Sequence, residues 1–250
     1  MNAVMSNRWG KDEVQTFLMR GRWFGSLSAS MQETILAPCE IVRHQANTVL
    51  YQLGDPVDGL HVTLEGDVRG YAHDDDGALT FFRPIGPGVW FGNIPLLSGA
   101  PWRAMEVRCA SPSTLLFLAE KPYREMTERD PEVYRAFVGL ACIQMHNAVR
   151  VTLEARSEAP RRTARAFLRL AHAHGLPTSE GTRLAMNISQ ADLASLVGVS
   201  RQYMNEMIAR WEEEGVLRWN GKAQPLLDME RLRSFLSPLD SWMEEYESWL

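Results

Sequence analysis

From Ile41 to Leu118 the chain is cut into short runs such as VTLEGDVRGY and TLLFLA by the turn-forming segments LGDPVDG, HDDDG, PIGPG and LSGAP, whereas from Glu120 to Ser157 it carries a helical pattern. This change of period restricts the fold more than any other feature. Short strands separated by Gly, Pro and Asp turns close into a sandwich or roll. The long helix that follows places Phe137, Leu140, Ala141, Met145, Ala148, Val149 and Thr152 along one or two adjacent stripes. An apolar stripe of that length needs a cover. A second copy of the chain is the simplest, which predicts a homodimer; the alternative is that the helix lies on its own β-roll.

Residues 11 to 38 read as short helices, the second capped by Ser28 ahead of Met31, Ile35 and Leu36. Downstream, Pro160 is expected to close the long helix, and a new one to run from Arg161 to Ala173 with Ala164, Phe167, Leu168 and Ala171 inward. GLPTSEGT reads as a loop. NISQADLASLVGVSRQYMNEMIARWEEEGVLRWNGK reads as two short helices, a recognition-type helix and a closing strand pair or wing. From Leu226 onward an amphipathic helix is expected to dock through Leu232, Phe235, Leu236, Leu239, Trp242, Met243, Tyr246 and Trp249, with an interruption near Pro238.

A chain of 250 residues has room for two domains with separate cores, and 45% apolar with 23% charged residues suits packed domains and excludes a disordered chain. No uninterrupted apolar run reaches the 18 or so residues of a spanning helix. The first residues, with Asn2, Asn7, Arg8 and Lys11, have no apolar signal core, so a cytoplasmic protein without membrane contact is expected. Cys39, Cys109 and Cys142 lie far apart with no C-x-x-C spacing and read as buried or neutral thiols. A net charge of −5 argues against a nucleic-acid partner, yet Arg161, Arg162, Arg165, Arg169, Arg183, Arg201, Arg210, Arg218 and Lys222 crowd one segment. The tail is acidic through Asp228, Glu230, Asp240, Glu244, Glu245 and Glu247, so a locally basic surface is expected upstream of it.

Within that segment, Ser189 stands as an N-cap, Leu193, Ala194 and Leu196 bury a first helix, Gly198 permits a tight turn and Ser200 caps a second helix. Met204, Met207, Ile208 and Trp211 then face inward and leave Arg201, Gln202 and Asn205 exposed at the helix N-terminus, where a major groove is read. Arg pairs bidentately with guanine, and Gln or Asn with adenine; Ser189, Gln190, Ser200 and Arg210 suit phosphates.

ISQADLASLVGVSRQYMNEMIARWEEEGVL resembles the helix-turn-helix signature of the cyclic-AMP receptor protein and FNR family of bacterial transcription regulators, and the likeness runs over roughly residues 25 to 222. The resemblance implies an α+β chain with an N-terminal β-roll of the cyclic-nucleotide-binding jelly-roll type and a C-terminal winged helix-turn-helix. It places Arg201 at the family's guanine-reading arginine. Gln202 stands where the cyclic-AMP receptor branch has glutamate, and Glu206 where it has arginine, so a different half-site is expected. The same likeness identifies FGNIPLLSGAPWRA, residues 91 to 104, as similar to the family's phosphate-binding cassette, in which backbone donors and an arginine hold the cyclic phosphate and a glutamate holds the ribose hydroxyl. Gly92 and Arg103 are kept. Asn93 replaces the glutamate, Ala104 stands where a hydroxyl residue is frequent, and Trp102 adds bulk; Asn147 and Ala148 align approximately with the family's base contact. Loss of a charge-assisted bond at Asn93 costs about 1 to 3 kcal/mol, which directs expectation away from cyclic AMP, toward another effector or none.

Iron–sulfur and haem sensing are not expected: Cys39 is the only cysteine before the end region of the roll, and His44, His61, His73 and His146 are scattered. The best enzyme alternative, a cupin-like metal enzyme, needs clustered His and carboxylate ligands. The strand region has no H-x-H pair, and His172 and His174 sit two apart on a helix, facing different ways. Asp74, Asp75 and Asp76 before Gly77 lack the further ligands of a calcium loop and read as a hairpin turn. No nucleophile elbow, P-loop or dinucleotide fingerprint is present, so no catalytic residue, metal or cofactor is expected. The resulting division is a β-roll sensor domain with N-terminal helices (1–129), a dimerisation helix (130–159), a winged helix-turn-helix (160–225) and a C-terminal helical extension (226–250). The expected partners are double-stranded DNA with a two-fold symmetric operator, a second copy of the chain and RNA polymerase. A third reading keeps the DNA binding but lets the β-roll merely scaffold the dimer.

Overall fold

The computed structural model describes residues 9–73, 76–219 and 224–237. Expectations for Asn2, Asn7, Arg8, Asp74, Asp75 and Lys222, and for the chain from Pro238 on, lie outside the described residues.

Helices α1 (Lys11–Leu18), α2 (Arg22–Gly25) and α3 (Ala29–Leu36) lead into strands β1 (Glu40–His44), β2 (Val49–Tyr51), β3 (Gly59–Glu65), β4 (Val68–His73), β5 (Leu79–Ile85) and β6 (Trp90–Phe91). There follow α4 (Asn93–Ser98), β7 (Glu106–Cys109), β8 (Ser113–Ala119), α5 (Glu120–Arg129) and α6 (Pro131–Glu154). The remainder is α7 (Ala159–His174), β9 (Gly175–Thr178), β10 (Gly181–Leu184), α8 (Gln190–Val197), α9 (Arg201–Glu213), β11 (Leu217–Arg218), β12 (Leu226–Leu227) and α10 (Met229–Ser234).

Of the described residues, those up to Gly70 and from Ile85 to His146 form one compact unit, and those from Tyr71 to Pro84 and from Asn147 onward form another. The first contains most of a β-roll, with a four-stranded sheet ordered β1-β8-β3-β6 and, of a second sheet, the strands β2 and β7 and β4 up to Gly70. Alternation along the strands sends Tyr51, Val68, Ile85, Phe91, Val107 and Leu115 into one apolar cluster. A second cluster, with Phe24, Trp90, Tyr123 and Phe137 fully buried or nearly so, is covered by the N-terminal helices, α5 and the first turns of α6. Trp23 ties these together by donating its indole N–H to the Ala136 carbonyl at 2.8 Å. Ser28 caps as expected, accepting the Met31 N–H at 3.3 Å, but the helix it caps is the third of the chain.

The second unit packs α7, α8 and α9 around Phe167, Leu170, Met204 and Trp211, and its four-stranded sheet is ordered β11-β12-β10-β9. Leu232 of α10 is buried in the same core, and the Phe235 ring lies 4.7 Å from that of Trp211.

Five expectations are corrected. The helical pattern from Glu120 is two helices, because Pro131 has no N–H to continue α5 and forces Asp130 to extended backbone, from where its carboxylate accepts the Glu132 N–H at 2.9 Å. Pro160 does not close a helix: α6 has ended at Glu154, and Pro160 occupies the first turn of α7, where its missing N–H has no partner to lose. GLPTSEGT is the hairpin β9–β10, paired from Gly181↔Thr178 to Leu184↔Gly175. One helix, α8, precedes the recognition-type helix, where two were expected. Leu226 and Leu227 are a strand of the wing sheet, registered as Leu217↔Leu227 and Thr182↔Leu227, and the helix begins only at Met229.

The stripe on α6 divides. Phe137 and Leu140 are buried in the first unit's own core, while Met145, Val149 and Leu153 are half or more exposed. Cys142 is exposed; burial pushes the Cys39 thiol up to about 12 and that of Cys109 up to about 11.

Candidate nucleic-acid interface and effector cassette

The helix-turn-helix is assembled by its caps. The Ser189 hydroxyl oxygen accepts the Asp192 N–H at 3.0 Å, and the Asp192 carboxylate in turn accepts the Ser189 N–H at 3.3 Å. Gly198 ends α8 in the left-handed region, φ 74°, with its N–H on the Ala194 carbonyl at 2.9 Å, which lets the chain reverse without strain. The Ser200 oxygen then accepts the Tyr203 N–H at 3.1 Å and starts α9. Both cap oxygens accept from backbone, so their O–H protons stay free to be donated to phosphates.

With Met204, Met207, Ile208 and Trp211 buried, Arg201, Gln202, Asn205 and Arg210 are on the exposed face of α9, as read from the sequence. Gln190 is half-buried at the first position of α8. Gln202 donates one amide N–H to the Glu206 carboxylate at 3.0 Å. Tyr203, 40% exposed, lies near Arg201 on the first turn of α9.

The basic segment is less available than its composition suggests. Arg162 donates to the Val197 and Ser157 carbonyls, Arg165 to the Ser157 hydroxyl and Arg161 to the Phe235 carbonyl, while Arg169 pairs with Glu154 and Arg218 with Glu180. Arg183, Arg201, Arg210 and Arg218 are exposed, the last two in surface ion pairs with Glu214 and Glu180.

In the first unit, Gly92 precedes α4 at φ 84°, and an added Cβ there would lie 2.8 Å from the Arg103 guanidinium. Arg103 is buried. It pairs with the Asp58 carboxylate, donates to the Gly59 and Gly92 carbonyls at 2.7 and 3.1 Å, and lies over the Tyr51 ring at 4.2 Å. Its backbone N–H is taken by the Asp55 carbonyl at 2.8 Å. Asn93, equally buried, donates to Gln144 at 3.0 Å, leaving its own carbonyl oxygen without a partner. Ala104 is exposed, and Trp102 is 63% exposed. Asn147 is on α6 in the other compact unit, its amide atoms buried without partners. The arrangement thus brings together Gly92, Asn93 and Arg103 but turns Arg103 inward, with its Nη groups engaged and its Nε buried without a partner. Asp58 and Gln144, which engage them, carry no local sequence signal because they are 45 and 51 residues away. Beside this network His61 stacks on Phe91 at 5.2 Å, and burial pushes its pKa down to about 3.

Among the described residues no three His, Cys, Asp or Glu side chains converge as metal ligands, and no helix is long and apolar enough to cross a membrane.

Comparison with known proteins places both parts. Residues 41–130 match the cyclic nucleotide-binding domain and residues 161–235 the Crp-like helix-turn-helix domain. Over 222 residues the chain is 23% identical to the CRP-like cAMP-activated global transcriptional regulator of Mycobacterium tuberculosis, covering 88% of this chain and 97% of that one. A CRP/FNR-family transcriptional regulator of Thermus thermophilus superposes with a TM-score of 0.65 at 26% identity, over 78% of this chain and 97% of that chain. The cyclic di-GMP responsive global regulator CLP of Xanthomonas campestris has the same fold, with a TM-score of 0.65 at 21% identity, over 80% and 100% of the two chains. Two domain matches and relatives aligned over nearly their whole length give one result: the chain belongs to the cyclic-AMP receptor protein/FNR family of DNA-binding transcription regulators.

Proposed function

We propose that the chain acts as a homodimer held by α6, that each protomer sets α9 into a major groove of a two-fold symmetric operator, and that control uses an effector other than cyclic AMP, or none. The observation that carries the DNA reading is the exposed trio Arg201, Gln202 and Asn205 on the N-terminal turns of a doubly capped helix pair. Two such helices in a symmetric dimer reach half-sites about one helical turn apart, and Ser189, Gln190, Ser200 and Arg210 hold phosphates on either side. Met145, Val149 and Leu153 supply an uncovered apolar stripe for the dimer. The domain roles follow the division into a roll (1–129), dimerisation helix (130–159), winged helix-turn-helix (160–225) and extension (226–250), in a cytoplasmic protein that does no chemistry and has RNA polymerase as a candidate partner.

The effector reading rests on Arg103, whose guanidinium is held by Asp58 and two carbonyls, and on Asn93, which has no charge to offer a ribose hydroxyl. A second reading, a cyclic-nucleotide-dependent regulator using Gly92, Asn93, Arg103, Ala104 and Asn147, draws on the domain match at 41–130 and on a relative named as cAMP-activated. Selection of a random duplex DNA pool by the purified protein, alone and with cyclic AMP or cyclic GMP, separates the two. A symmetric site enriched without nucleotide is the expected result; enrichment only with nucleotide establishes the second reading, and no enrichment under any condition means either that a different effector is essential or that sequence-specific DNA binding is wrong.

A further inference from the structure

We infer that Arg162 is a positioning residue for DNA reading: it fastens the end of α6 to the turn of the helix-turn-helix, so that the direction of α6 sets the direction of α9. The inference rests on the dimer reading above.

Arg162 projects from the second turn of α7. Its Nε donates to the Val197 carbonyl at 3.0 Å and one Nη to the Gly198 carbonyl at 3.4 Å; the other Nη donates to the Ser157 and Ala155 carbonyls at 2.5 and 3.4 Å. Val197 and Gly198 close α8, and Ala155 and Ser157 follow α6 directly. Both are carbonyl ends of helices, where acceptors lack intrahelical donors and partial negative charge accumulates. A planar guanidinium with five N–H groups in a fixed fork can bridge two such ends, whereas a lysine ammonium presents a point charge.

The same face of α7 continues the attachment. Arg165, three residues on, donates to the Ser157 hydroxyl at 3.0 Å, and Arg169, four further, pairs at 2.6 Å with Glu154, whose side chain is only 7% exposed and also lies 3.7 Å from Arg150. The connection between α6 and α7 is short, residues 155–158, and contains Ser157. Without side-chain attachments such a segment is a hinge; here three arginines hold it. The last turns of α6 belong to the same compact unit as α9. In a dimer joined along α6, that attachment converts the geometry of the dimer into a defined distance between two recognition helices.

The test is a parallel selection of random duplex DNA by the wild-type chain and Arg162→Ala, with affinities then measured on the wild-type operator and on unrelated DNA. Both proteins should enrich the same half-site letters, since Arg201, Gln202 and Asn205 are untouched. The wild type should favour one half-site spacing and the variant several, with affinity for the wild-type operator down about tenfold or more and non-specific affinity changed by less than about threefold. A variant that keeps a single spacing and full affinity overturns the inference, and so does one that loses the half-site letters together with the spacing, because Arg162 would then only be supporting α8 and α9. A wild type that enriches single half-sites with no two-fold arrangement removes the dimer reading and this inference with it. Should Arg162→Ala not fold, Arg162→Lys carries the same comparison, and hydrogen exchange adds an independent readout: faster exchange confined to residues 155–158 is expected, and unchanged exchange there overturns the inference.

Discussion

Arg201 and Arg103 both stand out in the sequence, and the fold treats them in opposite ways. Arg201 is exposed because the buried positions of α9 recur at helical spacing, a local property that periodicity reveals. Arg103 is buried against Asp58, 45 residues away, which no local pattern reveals, so its expected role as an effector's counter-charge was legible and its actual engagement was not. Arg201→Ala should weaken operator binding by about 1 to 3 kcal/mol and leave non-specific binding unchanged. Fluorescence anisotropy with operator and scrambled duplexes checks this, and equal loss on both duplexes refutes base reading by Arg201. His61 offers a second residue-level measurement. The unfolded chain protonates this side chain near 6.5 but the folded chain only near 3, so the stability it contributes is complete above 6.5 and is lost as pH falls toward 3. His61→Phe keeps an aromatic ring between Phe91 and Phe117 and abolishes that loss. From pH 6.5 to 4.5 the wild type should lose about 2 to 3 kcal/mol more stability than the variant in urea unfolding; identical acid slopes would show that His61 titrates normally.

Elements were most legible where caps and prolines mark their ends and least where partners are remote. Ser189, Gly198 and Ser200 bound α8 and α9 as read, because each acts on backbone groups within a few residues. The β9–β10 hairpin was hidden, since Gly175, Pro177, Ser179 and Gly181 are turn formers; β10 is a strand because it also pairs with β12, far along the chain. On α6 the pattern suggested two alternative covers, and the first turns are buried in the roll while Met145, Val149 and Leu153 are 65%, 50% and 59% exposed. If a second copy covers those residues, Met145→Lys with Val149→Lys should raise the dimer dissociation constant about a hundredfold or more. Sedimentation of the two proteins over a concentration series measures this, and circular dichroism should be unchanged because neither side chain contributes to a core. An unaltered dissociation constant would move the dimer contact away from α6.

At the scale of the molecule, a chain of net charge −5 approaches a polyanion, and the two domains must divide that burden. The second unit's arginines resolve it in an unexpected proportion. Those at 161, 162, 165 and 169 are engaged within the unit, while Arg183, Arg201, Arg210 and Arg218 are exposed, the last two paired with Glu214 and Glu180. Composition could not distinguish arginines that hold a hinge from arginines that meet phosphates, because both kinds crowd the same segment. Affinity with few phosphate contacts must come more from base contacts and shape than from counterion release. For a dimer neutralising one phosphate with each of Arg183 and Arg210, the logarithm of operator affinity should fall with the logarithm of salt concentration at a slope of about −4. Anisotropy titrations from about 50 to 200 mM salt, the range over which such slopes separate, measure it. A slope near −10 would mean that the arginines now assigned to the hinge leave it when DNA binds, and the fastening of α6 to α9 would then be a property of the free protein alone.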